Sequence, residues 1–156
     1  MSEILEVTTG EQLEQVRILF GEYRAELPLE YCFHSLDAEI AGLPGDYAPP
    51  RGKLLLAVVV GQPVGCVGLR PFPREATCEM KRLYVRPGFR GAKLGKQLVD
   101  RALLDARNMG YSFLRLDTHP PTMEAALAMY RKLGFQEVTA DPLEPVEGLL
   151  YMELRL

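Results

Sequence analysis

The chain has 156 residues, 47% of them apolar, a formal charge of −3 and an isoelectric point near 5.5. That length and apolar fraction suit one domain over residues 1–156 with a continuous core. The acidic balance leaves no global electrostatic footprint for nucleic acid or an anionic membrane, so any basic site must be local.

The opening MSEILEVTTG has no basic segment leading into an apolar run, so no secretory signal is expected. Alternation predicts a strand near 3–7. A helix follows over about 11–26, with Thr8 three residues before Glu11 in capping-box spacing, and a second over about 35–41, where Ser35 precedes Asp37. A loop with Gly42, Gly45, Pro49 and Pro50 comes next. Residues 53–60 and 63–70 are β-branched and apolar on either side of Gly61-Gln62-Pro63, which reads as an antiparallel hairpin. That apolar tract is too short and too broken for a membrane span. Residues 75–85 extend the sheet as a third strand. A helix over about 91–109 then leads through Gly110 to a strand at 112–117, and this order implies a parallel pair with a right-handed crossover. A helix over about 121–133, with Thr122 before Glu124, ends at Gly134, and strands near 135–138 and 149–154 close the chain. The expected fold is a mixed α/β sheet, mostly antiparallel, of about six or seven strands with about four helices on its faces.

Cys32, Cys66 and Cys78 form neither a CxxC pair nor a Cys/His ligand set, so no metal site is expected and a reducing, cytoplasmic setting fits. Their apolar context suggests small buried residues rather than nucleophiles. His34 and His119 read as ordinary polar loop residues.

The start of the third helix is different. RPGFRGAKLGKQL offers no Ser, Thr, Asp or Asn as a cap, yet places Arg86, Arg90, Lys93 and Lys96 at the electropositive end of a helix. A multiply charged anion would resolve this, accepting from free amides while the cations become attractive. Gly91 would let backbone approach such a ligand, whereas Gly95 opens the stripe Leu98, Val99, Ala102, Leu103, Ala106, Met109 and is expected to pack on the sheet. The alternative is a solvated basic helix start. GAKLGK is one residue short of a Walker A loop and has Gln97 where a hydroxyl is needed, and Gly88, Gly91 and Gly95 do not make GxGxxG.

EMKRLYVRPGFRGAKLGKQLVDRAL, followed after a strand by AALAMYRKLGF, resembles the GNAT family of acyl-CoA-dependent N-acyltransferases over roughly residues 75–138. The resemblance implies a parallel strand pair splayed around a coenzyme A cleft. It puts Arg90 on the family motif's Arg, Gly91 and Ala92 on its variable pair, Gly95 on its last Gly, and Lys93 where a Gly is usual. That departure is tolerable if the residue keeps right-handed helical dihedrals, and its ammonium could then add a phosphate contact. Leu94 and Lys96 fall within the same pyrophosphate loop, and Leu83, Tyr84 and Val85 on the strand end that meets the pantetheine arm. Met123 stands where many relatives have a cofactor-binding Asn.

The resemblance also implies roles for Tyr130, which would protonate the departing thiolate, and Glu79, which would take a proton from the amine. An alkylammonium has a pKa of about 10.4, so a base is useful at neutral pH. For Glu79 a strand-edge pair with Lys81 or Arg82 is an equal alternative, and for Tyr130 a core ring with a wet tip fits both readings. The expected activity is acetyl transfer from acetyl-CoA to a primary amine of a small molecule or peptide, directly in a ternary complex. A non-catalytic acyl-CoA sensor is the alternative. Acceptor choice falls to the loop-rich segment 27–51 with Tyr31, Phe33 and Tyr47. The partners are acetyl-CoA and the amine, with homodimerisation left open.

Overall fold

The computed structural model describes residues 2–27, 33–120, 123–139 and 149–156, with only the backbone of 33–35. Its strands are β1 (Ser2–Glu6), β2 (Lys53–Val59), β3 (Gln62–Pro71), β4 (Thr77–Val85), β5 (Phe113–Thr118), β6 (Gln136–Val138) and β7 (Leu150–Arg155). Its helices are α1 (Gly10–Glu26), α2 (Phe33–Ala41), α3 (Leu94–Asn108) and α4 (Glu124–Leu133). The strands form one sheet in the order β1-β2-β3-β4-β5-β7-β6. Every neighbouring pair is antiparallel except β4 and β5, which are joined by the α3 crossover.

The local chemistry explains most boundaries and corrects some expectations. The α1 cap is Thr9, not Thr8: its hydroxyl accepts from the Gln12 amide at 3.1 Å, while Gln12 Oε1 accepts from the Thr9 amide at 3.1 Å. The β2–β3 turn is Val60-Gly61, both at positive φ, and Gln62 and Pro63 already belong to β3. α2 starts at Phe33, two residues before Ser35. α3 starts three residues later than expected because Gly91 (φ 92°) and Lys93 (φ 62°) are left-handed. Met123 precedes α4 without a side-chain cap, and Thr122 lies outside the described residues.

β2 and β3 are buried on both faces, as their continuous apolar runs require. On one face Leu55, Val67, Leu69 and Met80 pack with Leu98, Val99, Ala102 and Ala106 of α3 and with Tyr130 and Phe135. On the other, Leu54, Leu56, Cys66 and Tyr84 pack with Val16, Leu19 and Phe20 of α1 and with Tyr47. Two helical layers thus cover the β1–β4 half, and the site lies where that half meets β5.

Candidate active site

β4 and β5 are in register only from Thr77↔Phe113 to Glu79↔Arg115, although β4 runs on to Val85 and β5 to Thr118. Beyond that point the strands diverge, because β4 stays with β3 while β5 stays with β7. A bulge assists the divergence: Cys66 faces Tyr84 and Gly68 faces Lys81, so Val67 opposes both Arg82 and Leu83. Arg82 holds φ 61°. The bulge carbonyl of Arg82 accepts from the Cys66 thiol at 3.5 Å, and burial pushes that thiol up, keeping it a protonated donor.

A cavity of about 780 Å³ opens in the gap. At one end lies the stretch that the sequence left uncapped. The backbone amides of residues 91–96 donate no hydrogen bond within the described residues; the first helical bond runs from Gln97 N to Lys93 O at 3.0 Å. Gly91 and Lys93 are left-handed within this run of free amides, the kind of backbone from which anion nests are built. A Cβ at Gly91 or Gly95 would meet nothing within 4 Å. Gly95 therefore does not pack on the sheet; its bare backbone borders the cavity, and Leu94 beside it is the buried residue. Lys93 lies in this stretch and Lys132 of α4 also lines the cavity, and neither has an ion-pair partner among the described residues. These features fit a diphosphate: residues 91–96 would hold it by their amides, with Lys93 supplying positive charge.

At the other end four titratable groups converge from both helical layers: Tyr23 of α1, Lys81 of β4, Asp117 of β5 and Tyr130 of α4. Lys81 Nζ is 2.7 Å from Asp117 Oδ2. Burial opposes ionisation of Asp117, but Lys81, with Arg82 and Arg70 behind it, outweighs burial and holds the carboxyl below its usual range. Burial pushes the Tyr130 phenol up, and Tyr23 and Asp117 add to the effect. The Tyr130 ring packs on Phe135 with centroids 5.5 Å apart, while its hydroxyl makes no hydrogen bond with a described residue.

The expected site residues divide accordingly. Leu83, Tyr84, Val85, Arg90, Gly91, Lys93, Leu94, Gly95, Lys96 and Tyr130 all line the cavity, and Ala92 does not. Lys93 is left-handed, so the right-handed condition set for a lysine at this position is not met. Arg90 is committed to the protein: Nε donates to Val85 O at 2.7 Å and Nη2 to both oxygens of Glu26 at 2.9 and 3.0 Å. Glu79 does not line the cavity. Its partner is neither Lys81 nor Arg82 but Arg70, directly opposite on β3, with Nε 2.6 Å from Oε1. Tyr47 is 2% exposed, packs in the α1-side core and donates to Glu39 at 3.0 Å, so it is a framework residue and not an acceptor contact. Tyr31 and the Phe33 side chain lie outside the described residues. Met123 borders the cavity, its sulfur accepting from Thr118 Oγ1 at 3.6 Å and His119 N at 3.5 Å. Sequence reasoning missed Tyr23, Lys81 and Asp117 as a group. The available signal was the alternation of Arg115 and Asp117 along β5, two residues apart on one face. No helix among the described residues is long and apolar enough to cross a membrane.

Comparison with known proteins agrees with this geometry. Residues 14–135 match the model of the acetyltransferase (GNAT) family. An uncharacterised N-acetyltransferase of Schizosaccharomyces pombe is 36% identical over 151 residues, covering 96% of this chain and 92% of its own. The PaiA N-acetyltransferase of Thermoplasma acidophilum, solved in complex with coenzyme A, superposes with a TM-score of 0.78 at 21% identity, over 100% of this chain and 99% of its own. A Salmonella typhimurium acetyltransferase solved with acetyl-CoA gives 0.76 at 18% identity, over 99% and 93%. With a splayed parallel pair, an amide nest at the α3 start and a family match over most of its length, the chain belongs to the GNAT family of acetyltransferases.

Proposed function

We propose that the protein transfers an acetyl group from acetyl-CoA to a primary amine, directly and within one ternary complex. One observation carries the reading: the unpartnered Tyr130 hydroxyl and the free amides of residues 91–96 border the same cavity. Bound acetyl-CoA would supply a thioester, an acyl group with a good leaving group. In the net reaction the amine N–C bond forms and the C–S bond breaks. Of the two protons lost by the ammonium, one reaches sulfur and the other solvent.

The chain's own residues divide this work. The nest and Lys93 hold the diphosphate, and the β4 end from Leu83 to Val85 carries the arm toward the gap. The bulge at Arg82–Leu83 sets two residues against one on β3, and an amide there would polarise the thioester carbonyl. Tyr130 holds its proton throughout the neutral range, because burial keeps the phenol high, and delivers it to the departing sulfur. Glu79 has no part in this proposal, since its carboxylate is engaged by Arg70 outside the cavity.

Tyr130→Phe tests the reading. Loss of a proton donor lowers kcat about a hundredfold, read as free-thiol release, with acetyl-CoA affinity by calorimetry unchanged. Binding of acetyl-CoA with no thiol release across a broad amine panel would instead make the chain a sensor.

A further inference from the structure

We propose that the acceptor is a primary amine with no carboxylate beside it, and that Asp117 receives its ammonium group through Oδ1. This rests on the acetyl-transfer reading above and narrows it to a substrate class.

Position comes first. Glu79↔Arg115 is the last register pair of β4 and β5, and Lys81 and Asp117 stand two residues further along each strand, where the strands begin to part. Their side chains keep 11% and 28% exposure. Lys81 Nζ takes Oδ2 at 2.7 Å, and Oδ1 accepts no hydrogen bond from a described residue. Lys81 is itself a primary alkylammonium, so its contact demonstrates that this carboxylate is oriented to accept one. Tyr23 from one helical layer and Tyr130 from the other line the same cavity as Asp117. An ammonium on Oδ1 would therefore share that cavity with the proton donor.

Charge then selects the acceptor. Register places Arg70, Glu79, Arg115 and Glu153 side by side on β3, β4, β5 and β7, a row of alternating sign next to Asp117. Each guanidinium of this face is in an ion pair: Arg70 with Glu39 and Glu79 at 2.9 and 2.6 Å, Arg82 with Glu39 at 2.8 Å, and Arg74 and Arg115 with Glu153 at 2.8 and 3.6 Å. Segments 28–32, 121–122 and 140–148 carry no Lys or Arg, so no further cation can come from them. Of the cavity's lysines in no ion pair among the described residues, Lys93 belongs to the nest, and Lys132 lies on α4 past Tyr130. A carboxylate α to the reacting nitrogen would thus face Asp117 with Lys81 and the arginines of this face, among the described residues, already paired, and its desolvation would be poorly compensated. Alkylamines, polyamines and peptide N-termini escape this penalty. Free α-amino acids do not.

Matched acceptor pairs test the proposal on the wild-type protein: amino-acid amides against the same free amino acids, with butylamine as a further probe. Calorimetry on the CoA-loaded protein reports binding, and thiol release with acetyl-CoA reports kcat/KM. The expected result is at least a tenfold preference for the amide in each pair. Asp117→Asn should raise acceptor KM at least tenfold, with kcat at saturating acceptor and acetyl-CoA affinity little changed, and Asp117→Glu should recover part of the loss. Preference for the free acids, an Asp117→Asn enzyme with unaltered acceptor KM, or a CoA-loaded protein that binds none of the probes would each overturn the proposal. Failure to bind acetyl-CoA at all would sink the transfer reading itself, and this one with it. The pairwise comparison needs no variant, so it decides the matter even where Asp117→Asn, with Lys81 unpartnered, fails to fold.

Discussion

Lys93 combines two costs at one position: a left-handed backbone, φ 62° and ψ 20°, and an ammonium at the positive end of α3 with no ion-pair partner among the described residues. A left-handed residue with a Cβ costs about 1–2 kcal/mol. Glycine removes that strain but returns about 0.5–1 kcal/mol through the greater freedom of the unfolded chain. Lys93→Gly should therefore stabilise the protein by about 0.5–1 kcal/mol, raising Tm by about 1–4 °C in a thermal melt without ligand. The same change removes a charge from the nest, and should weaken acetyl-CoA binding by roughly three- to tenfold at low salt, the scale of one charge-assisted bond in an exposed setting. Opposite signs in the two measurements are the signature of a residue kept for its ligand. A lysine serving only as a helix start would give the stability gain with unchanged affinity.

At the scale of the element, β4 carries most of the site, and a glycine stands on β3 beside its bulge. Gly68 on β3 faces Lys81 just before the bulge, and a Cβ there would lie 2.6 Å from the Tyr47 ring. Gly68→Ala must push that ring aside, and Tyr47 bridges to Glu39 through its hydroxyl. The expected cost is about 1–3 kcal/mol, seen as a lower denaturant midpoint with an unchanged slope. This element also marks how far local pattern reaches. The apolar β-branched runs of β2 and β3, the α3 stripe and the strand–helix–strand order were all legible, because each depends on neighbours along the chain. The bulge was not, since it exists only as a mismatch between two strands, and neither was the αL start of α3, which moved the helix to Leu94. Glu79 fell for the same reason. Its face was readable from alternation, but that Arg70 stands directly opposite is a fact of register, not of sequence spacing.

Across the whole molecule, the two helical layers are attached by different chemistry. α3 lies on the sheet chiefly through an apolar stripe, with Asp105 reaching Lys53 of β2 at 3.7 Å, whereas α1 and α2 reach β3, β4 and the loop after β4 through several carboxylates as well as apolar packing. Glu22 takes Arg86 at 2.8 Å, Glu26 takes Arg90 at 2.9 Å, and Glu39 takes Arg70 and Arg82 at 2.9 and 2.8 Å. Glu39 is the most enclosed of these, with its side chain 11% exposed. Burial alone would raise its pKa, but the Arg82 hydrogen bonds and the charges of Arg82 and Arg70 win and hold it below the usual 4.5. The unfolded chain then binds the proton more readily than the folded one. The stabilisation from this carboxylate is complete above pH 4.5 and falls away as pH drops through the depressed folded value. Glu39→Gln leaves two guanidiniums short of a partner and should cost about 2–3 kcal/mol at pH 7, somewhat less than a fully buried pair. Because the variant has no proton to take up there, its stability should fall less steeply than wild type below pH 4.5, and the gap between them should narrow with acidification. Denaturant melts of both proteins from pH 7 to pH 3 measure that gap directly. A gap constant over the whole range would mean that Glu39 holds α2 by shape and neutral hydrogen bonding, and that the charge on this face does not secure the helix to the sheet.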